Sequence, residues 1–305
     1  MFIRFGYEIG IRCAQPTPMM TFLSVEQARR KDIVRETGPI SDPVVKMDEI
    51  TDSFGNSCIR MLVPEGDMRL TYDAVIMDDG QPDPVISQAG VIPVEKLPAE
   101  CLPYLSGSRY CETDRFGELA WRLFGGIEPG WARVQAICDY VHDRLTFSYG
   151  YASAFRTAVQ AHEERVGVCR DYAHLAVTFC RALNIPARYA NGYMGDIGVP
   201  ADPAPMDFNA WFEVYLEGGW YIFDARHNIP RIGRITVARG RDAADIPLIQ
   251  TFGIHDLTTF KVWTYPEENA AMTRPHAKAE VTLISPWFSE RWSRLVRERE
   301  YNREH

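Results

Sequence analysis

The thiol of Cys169 stands in a sequence context that favours a nucleophile. Cys169 follows a turn that contains Gly167, opens a stretch with helical periodicity and has Arg165 and Arg170 on either side. The backbone N–H groups at a helix start and nearby cations both stabilise a thiolate. The alternative is a small apolar residue packed beneath the helix start, since most cysteines are structural. The residues alone leave both interpretations open.

The other six cysteines carry no comparable signal. Their spacing is irregular and none forms a Cys-x-x-Cys pair, so the sequence favours neither a disulfide framework nor a zinc ribbon. We expect most of them to be buried, unreactive thiols, and we expect no metal and no cofactor. They lie at positions 13, 58, 101, 111, 138 and 180.

Several elements are predicted to position Cys169. A helix should begin just before it and run to Leu183, because its apolar residues recur at helical spacing and Asn184-Ile185-Pro186 ends it. Earlier helices are predicted over 116–124 and 131–145. Two strands, 210–216 and 220–224, flank a turn that contains Gly218 and Gly219, which predicts a hairpin.

The remaining chain divides into a β-rich start and a short extension. Residues 1–105 alternate short apolar segments with turn residues, which indicates an all-β, sandwich-like domain. The fold class is therefore predicted to be α+β. We place the N-terminal domain at 1–105, a helix-and-sheet domain at 106–265 and a C-terminal extension at 266–305, with an amphipathic helix from 287 to 300.

Three sequence blocks, in order, resemble the core signature of the transglutaminase-like superfamily. They are 167–174 with its continuation 180–193, then Asn209-Ala210-Trp211 within 209–216, and finally 219–224, which ends in Asp224. The resemblance covers about residues 112–265, and residues 1–105 resemble the β-rich region that often precedes this domain in bacterial members. It implies a papain-like core, in which the nucleophile helix packs on an antiparallel sheet. It also implies that Cys169 is the nucleophile and that Asp224 orients the catalytic histidine.

Asn209 departs from the family pattern, because it stands where the family has the histidine that acts as general base. An amide does not accept a proton at neutral pH. In one interpretation the domain has lost catalysis and serves as a peptide- or protein-binding module. In the other, His227 supplies the base and Asn209 orients it. His227 follows Asp224 by three residues, so this second interpretation requires a sharp turn after the strand.

Four further residues are candidates for substrate binding or oxyanion stabilisation: Tyr149, Tyr151, Trp211 and Arg226. Arg226 also begins a run of five arginines within residues 226–241, which suggests an anionic substrate. Pairing of these arginines with carboxylates of the same chain is the commoner outcome.

Composition narrows the partner classes. The 33 Lys and Arg residues against 41 Asp and Glu give a net charge of −8 without a basic cluster, which argues against nucleic acid. No apolar run approaches the length of a membrane helix, and the first residues carry no secretory signal, so we expect a cytoplasmic location. The leading prediction is a cysteine hydrolase, an amidase or peptidase that attacks a peptide-like carboxamide through an acyl-enzyme. The alternative is the binding module.

Overall fold

The computed structural model describes residues 1–267. The helices are α1 (Gly117–Phe124), α2 (Trp131–Arg144), α3 (Ala158–Glu164) and α4 (Cys169–Ala182). The strands are β1 (Phe2–Cys13), β2 (Thr17–Thr21), β3 (Ile33–Asp42), β4 (Met47–Thr51), β5 (Ser57–Val63), β6 (Gly66–Met77), β7 (Thr146–Phe147), β8 (Val166–Gly167), β9 (Ala187–Tyr193), β10 (Asn209–Leu216), β11 (Gly219–Phe223), β12 (Ile235–Gly240), β13 (Ile249–Thr251) and β14 (His255–Pro266).

Two antiparallel four-stranded sheets form the β-rich part. Their strand orders are β14-β1-β6-β3 and β13-β2-β5-β4. In β6 the buried residues Met68, Leu70, Tyr72 and Ala74 alternate with more exposed ones, so one face of the strand packs into the core. This confirms the predicted all-β, sandwich-like region.

The strands formed by residues 249–266 return to these N-terminal sheets. β13 pairs with β2, and β14 pairs with β1 along almost its full length. Our predicted division placed these two strands with the helix-containing region. The domain boundaries stay a prediction.

The third four-stranded sheet carries the predicted hairpin. Its order is β11-β10-β9-β12, all pairs are antiparallel, and β10 and β11 are joined by a tight turn at Gly218 and Gly219. Helix α4 packs on β9 and β10, and the other three helices pack against α4. The α+β class and the packing of the nucleophile helix on an antiparallel sheet are thereby confirmed.

Burial explains why α4 occupies the centre. Leu175, Ala176, Phe179 and Cys180 are fully buried, and they meet Val134 and Ile137 of α2 in one apolar cluster. Within residues 1–267 no helix combines the length and apolar character needed to cross a bilayer. The amphipathic helix predicted over 287–300 lies outside the described residues.

Candidate active site

The start of α4 is fixed by a carboxylate in its first turn. Asp171 accepts a hydrogen bond from the backbone N–H of Val168 at 2.9 Å, and it pairs with Arg156 at 3.3 Å. Its side chain folds over Gly167, where a Cβ would come within 2.7 Å of the Asp171 Cβ. This packing explains the glycine, and it sets the position of Cys169, the first residue of the helix.

The Cys169 thiol is protonated at neutral pH. Burial raises the pKa of the Cys169 thiol to about 11, and Asp207 also acts to raise it. Arg226 and a hydrogen bond from the Ala210 backbone N–H act in the opposite direction without cancelling the effect of burial. The helix start alone therefore does not produce the thiolate that the sequence context suggested.

Asp224 and His227 form a close pair at the end of β11. β11 ends at Phe223, and residues 225–227 form a turn that folds His227 back onto Asp224. The Nδ1 of His227 lies 2.9 Å from Asp224 Oδ2, and the backbone N–H groups of Arg226 and His227 both donate to Asp224 Oδ1 at 3.0 Å. The sharp turn that the His227 hypothesis requires is therefore present.

Arg234 completes the surroundings of Asp224. Its Nη2 donates to Asp224 Oδ2 at 2.8 Å, and its Nε donates to Asp83 Oδ2 at 2.8 Å. Burial would raise the pKa of Asp224, but Arg234 and His227 outweigh burial and hold this pKa well below its usual range. Asp83 is fixed in turn by exchanging hydrogen bonds with the backbone of Arg231, both at 2.9 Å.

These contacts define the tautomer of His227. An ionised carboxylate only accepts hydrogen bonds, so the nitrogen that faces Asp224 carries the proton. Nδ1 is therefore the donor, and Nε2 keeps its lone pair in the neutral ring. Among residues 1–267 no group makes a hydrogen bond to this Nε2, and none joins the His227 ring to the Cys169 thiol.

Asn209 occupies the first position of β10 and is tied to Arg226. Its Oδ1 accepts from Arg226 Nη1 at 3.0 Å, and its Nδ2 donates to the backbone oxygen of Asp207 at 3.2 Å. The Arg226 guanidinium also lies over the Phe147 ring, 3.7 Å from its centroid. Asn209 therefore contacts Arg226, not the His227 ring as the second hypothesis suggested.

A small pocket brings several of the predicted residues together. Tyr149, Asn209, Arg226 and His227 line it, together with Asp207 and the loop that precedes β10. Burial raises the pKa of Asp207 to about 6, and the pKa of Tyr149 to about 12. Asp207 acts to raise the pKa of the Cys169 thiol, and the thiol in turn acts to raise the pKa of Tyr149.

Trp211 and Tyr151 lie elsewhere. Trp211 is fully buried, and the Arg234 guanidinium lies 4.9 Å from its ring centroid. It therefore supports Arg234 from behind the pocket. Tyr151 is exposed at the end of a short 3₁₀ turn, and its backbone oxygen accepts from Arg156.

The sequence did not identify three residues of this site: Asp83, Asp207 and Arg234. Asp83 comes from the turn-rich segment after β6, far along the chain from its partners. Arg234 was visible only as one member of the arginine run. Asp207 stands two residues before the matched Asn209, and this proximity was the one signal that pointed to it. Within residues 1–267 no three His, Cys, Asp or Glu side chains are grouped so as to hold a metal ion.

Comparison with known proteins agrees with this geometry. A model of the transglutaminase-like superfamily matches residues 118–225, which contain Cys169, Asn209 and Asp224. The crystal structure of a "putative cysteine protease" from Cytophaga hutchinsonii superposes with a TM-score of 0.75 and is 31% identical. That alignment covers 87% of this chain and 90% of the other.

Two mycobacterial relatives are described only as uncharacterized proteins. The one from Mycobacterium leprae is 28% identical over 43% of this chain, and the match spans 48% of that protein, about half of its length. The one from Mycobacterium tuberculosis is 24% identical over 74% of this chain and 78% of its own. The order of the three blocks, the helix-on-sheet core and the similarity to the Cytophaga structure lead to one conclusion: the chain belongs to the transglutaminase-like superfamily.

Proposed function

We propose that this protein is a cysteine hydrolase that cleaves a peptide-like carboxamide, with a peptide or protein as substrate. The observation that carries the proposal is the 2.9 Å contact between Asp224 Oδ2 and His227 Nδ1. With Nδ1 donating to Asp224, the Nε2 of His227 is left to act as the base, and His227 lines a pocket together with Arg226 and Asn209. The Cytophaga relative, described as a "putative cysteine protease", is in keeping with this chemistry.

The reaction follows from the protonation states. Because the resting thiol is protonated, a base must take its proton as the sulphur attacks the carbonyl carbon. Nε2 of His227 takes that proton and gives it to the leaving amine when the C–N bond breaks. Water then attacks the thioester, its proton passes through His227 to the departing sulphur, and a carboxylic acid and the free thiol result.

Two parts of the site support this sequence. We assign the stabilisation of the negative charge that develops on the carbonyl oxygen to the backbone N–H of Cys169 and the Arg226 guanidinium. Asp224 stays ionised because Arg234 and His227 hold its pKa low, so it orients the imidazole and stabilises the imidazolium.

Amide hydrolysis by variants tests the mechanism. A panel of peptidyl p-nitroanilides and peptide amides is assayed with the parent and with Cys169→Ala, which should abolish turnover. His227→Gln should reduce turnover by about 10²- to 10⁴-fold, the usual contribution of a general base. His255→Gln is the matched control, since His255 lies on β14 and its ring contacts Thr251. Full activity of Cys169→Ala would overturn the proposal.

A second candidate is the binding module, which the Asn209–Arg226 contact favours together with the raised pKa of the Cys169 thiol. The two candidates differ in thiol chemistry. Iodoacetamide alkylation of Cys169, followed by mass spectrometry across pH, should slow in His227→Ala if a Cys/His pair operates. Indifference to His227, combined with a gain in reactivity for Asn209→His, would favour the binding module.

We also propose a cytoplasmic location, as the sequence predicts. All seven cysteines are free, which suits a reducing compartment. Cell fractionation with detection of the full chain tests it.

A further inference from the structure

The five arginines of residues 226–241 are not equivalent. Four of them form ion pairs within the chain: Arg231 with Asp196 at 3.4 Å, Arg234 with Asp224 at 2.8 Å, Arg239 with Glu213 at 2.9 Å and Arg241 with Asp245 at 2.9 Å. Arg226 forms no ion pair with any residue of the described range 1–267. The internal pairing expected of such a run therefore accounts for four members and leaves one cation free in the pocket.

Arg226 is nevertheless held in place. Its Nη1 donates to Asn209 Oδ1 at 3.0 Å, and Phe147 supports the face of the guanidinium at 3.7 Å. A guanidinium offers five N–H donors, and within residues 1–267 only this one side-chain hydrogen bond uses them. The remaining donors are available to a ligand without any rearrangement of the cation.

Arg226 is the cation that acts most strongly on the Cys169 thiol. Of the charged groups that act on Cys169, Arg226 has the largest effect, ahead of Asp207. Asp196, on the same pocket wall, is paired with Arg231. Arg226 is therefore the group near the thiol that is best suited to attract an anionic ligand, although Asp207 and Asp171 act against it and Asp202 also lines the pocket.

We propose that Arg226 is a specificity-determining residue that binds a carboxylate of the substrate beside the reacting carbonyl group. The substrate class is then a peptide-like amide whose acyl part is acidic. A planar guanidinium suits this task, because it binds a carboxylate through two parallel hydrogen bonds. The inference rests on the proposed function for its substrate, but the recognition of an anion at Arg226 is measurable without turnover.

Two alkylating reagents of similar size isolate the charge. Iodoacetate transfers a carboxymethyl group to the Cys169 sulphur and iodoacetamide transfers a carbamidomethyl group, each with loss of iodide, and only the first reagent carries a carboxylate. We define the ratio as the rate of alkylation by iodoacetate divided by the rate of alkylation by iodoacetamide. At a given pH this ratio does not depend on the thiolate fraction. At about pH 9, where some thiolate is present, the ratio in the parent should exceed that of Arg226→Gln by roughly five- to tenfold.

Matched variants separate local recognition from net charge. Arg241→Gln removes the same charge from a residue paired with Asp245 outside the pocket, and it should leave the ratio unchanged. Arg226→Lys keeps the charge without the planar fork and should keep part of the preference. Added salt should reduce the ratio in the parent toward that of Arg226→Gln. An equal ratio in the parent and in Arg226→Gln would overturn the proposal.

A second measurement tests anion binding at Arg226 directly and can be used even if Cys169 reacts with neither reagent. N-acetylglycine, as its carboxylate, and the neutral N-acetylglycinamide are titrated into labelled protein while the side-chain amide of Asn209 is followed by NMR. The carboxylate should shift this signal in the parent and not in Arg226→Gln. Equal responses to both compounds would also overturn the proposal. Amide hydrolysis plays no part in either test, so loss of anion recognition and loss of the proposed function are told apart.

Discussion

Asp224 and Asp207 are carboxylates of the same cleft, and their charges are controlled in opposite ways. Asp224 contacts the Arg234 guanidinium at 2.8 Å and the His227 ring at 2.9 Å, and its pKa lies well below the usual range. Asp207 accepts a hydrogen bond from the Phe208 backbone N–H at 2.7 Å and has no ion pair within residues 1–267. Burial raises its pKa to about 6.

The comparison shows that contact with cations decides whether the pKa of a desolvated carboxylate at this site falls below its usual range or rises above it. Desolvation penalises both carboxylates, and only direct partners offset it. The Cys169 thiol resembles Asp207, because burial raises its pKa, to about 11, and the opposing effect of Arg226 is too small to offset burial. The Asp224 side is thus fixed in charge, whereas the Cys169 side responds to pH.

Removal of Arg234 should have the largest effect. Arg234→Met leaves Asp224 and Asp83 buried without their cation, which typically costs about 3–5 kcal/mol of folding free energy. Urea unfolding measures it. Arg12→Met is the control, because Arg12 pairs with Asp67 on the surface, where both side chains are exposed, and its loss should destabilise the fold far less. Equal costs for the two variants would contradict the contrast drawn here.

Removal of the Asp207 charge should stabilise the folded protein at neutral pH, whereas removal of Arg234 should destabilise it. The folded-state pKa of Asp207 is about 6, and in the unfolded chain it is about 3.9. The parent is therefore most stable, relative to the variant, at low pH, and it loses stability as the pH rises from about 4 to 6. Above that range Asp207→Asn should be more stable by about 1–3 kcal/mol.

Thermal or urea unfolding at several pH values checks the Asp207 prediction. The difference between the parent and Asp207→Asn should disappear in acid. A variant that is less stable than the parent at neutral pH would show that the Asp207 carboxylate has a stabilising partner.

The reactivity of Cys169 should show the smallest of the three effects. Because the thiol pKa is about 11, alkylation by iodoacetamide should accelerate by about tenfold for each unit from roughly pH 7 to 10. Asp207→Asn should shift this profile to lower pH, since Asp207 acts to raise the thiol pKa. A plateau that begins near neutral pH in the parent would mean that the thiolate has a partner.

Local sequence signals predicted the elements of the site well, because those signals act over a few residues. The start of α4 at Cys169 follows from a turn and a helical period, and the β10–β11 hairpin follows from two strands around Gly218 and Gly219. The sequence allowed two courses of the chain after Asp224, a sharp turn that brings His227 to Asp224 or continued strand geometry. Strand geometry alone argued against the turn, and the carboxylate that captures two backbone N–H groups explains why it forms.

Long-range side-chain contacts could not be predicted in the same way. Asp83 and Arg234 meet only because the segment after β6 runs beside the loop before β12, where Pro82 forms a bridge with Ile232. Neither residue carries a local signal for its partner. The same holds for Arg226, whose freedom from ion pairing depends on the partners of four other arginines.

The pairing of β14 with β1 governs the order in which the chain can fold. Ile3 pairs with Pro266 on one side and with Ile76 on the other, so β1 lies between a strand made early and a strand made late. During synthesis β1 keeps one open edge until residues 255–266 have left the ribosome, and such an edge invites pairing with other chains. Contacts between residues so far apart in sequence also form slowly. The N-terminal sheets, although synthesised first, therefore complete their strand pairing only after the region that contains α1–α4 has emerged, so newly made chains present an open strand edge of the kind that promotes aggregation.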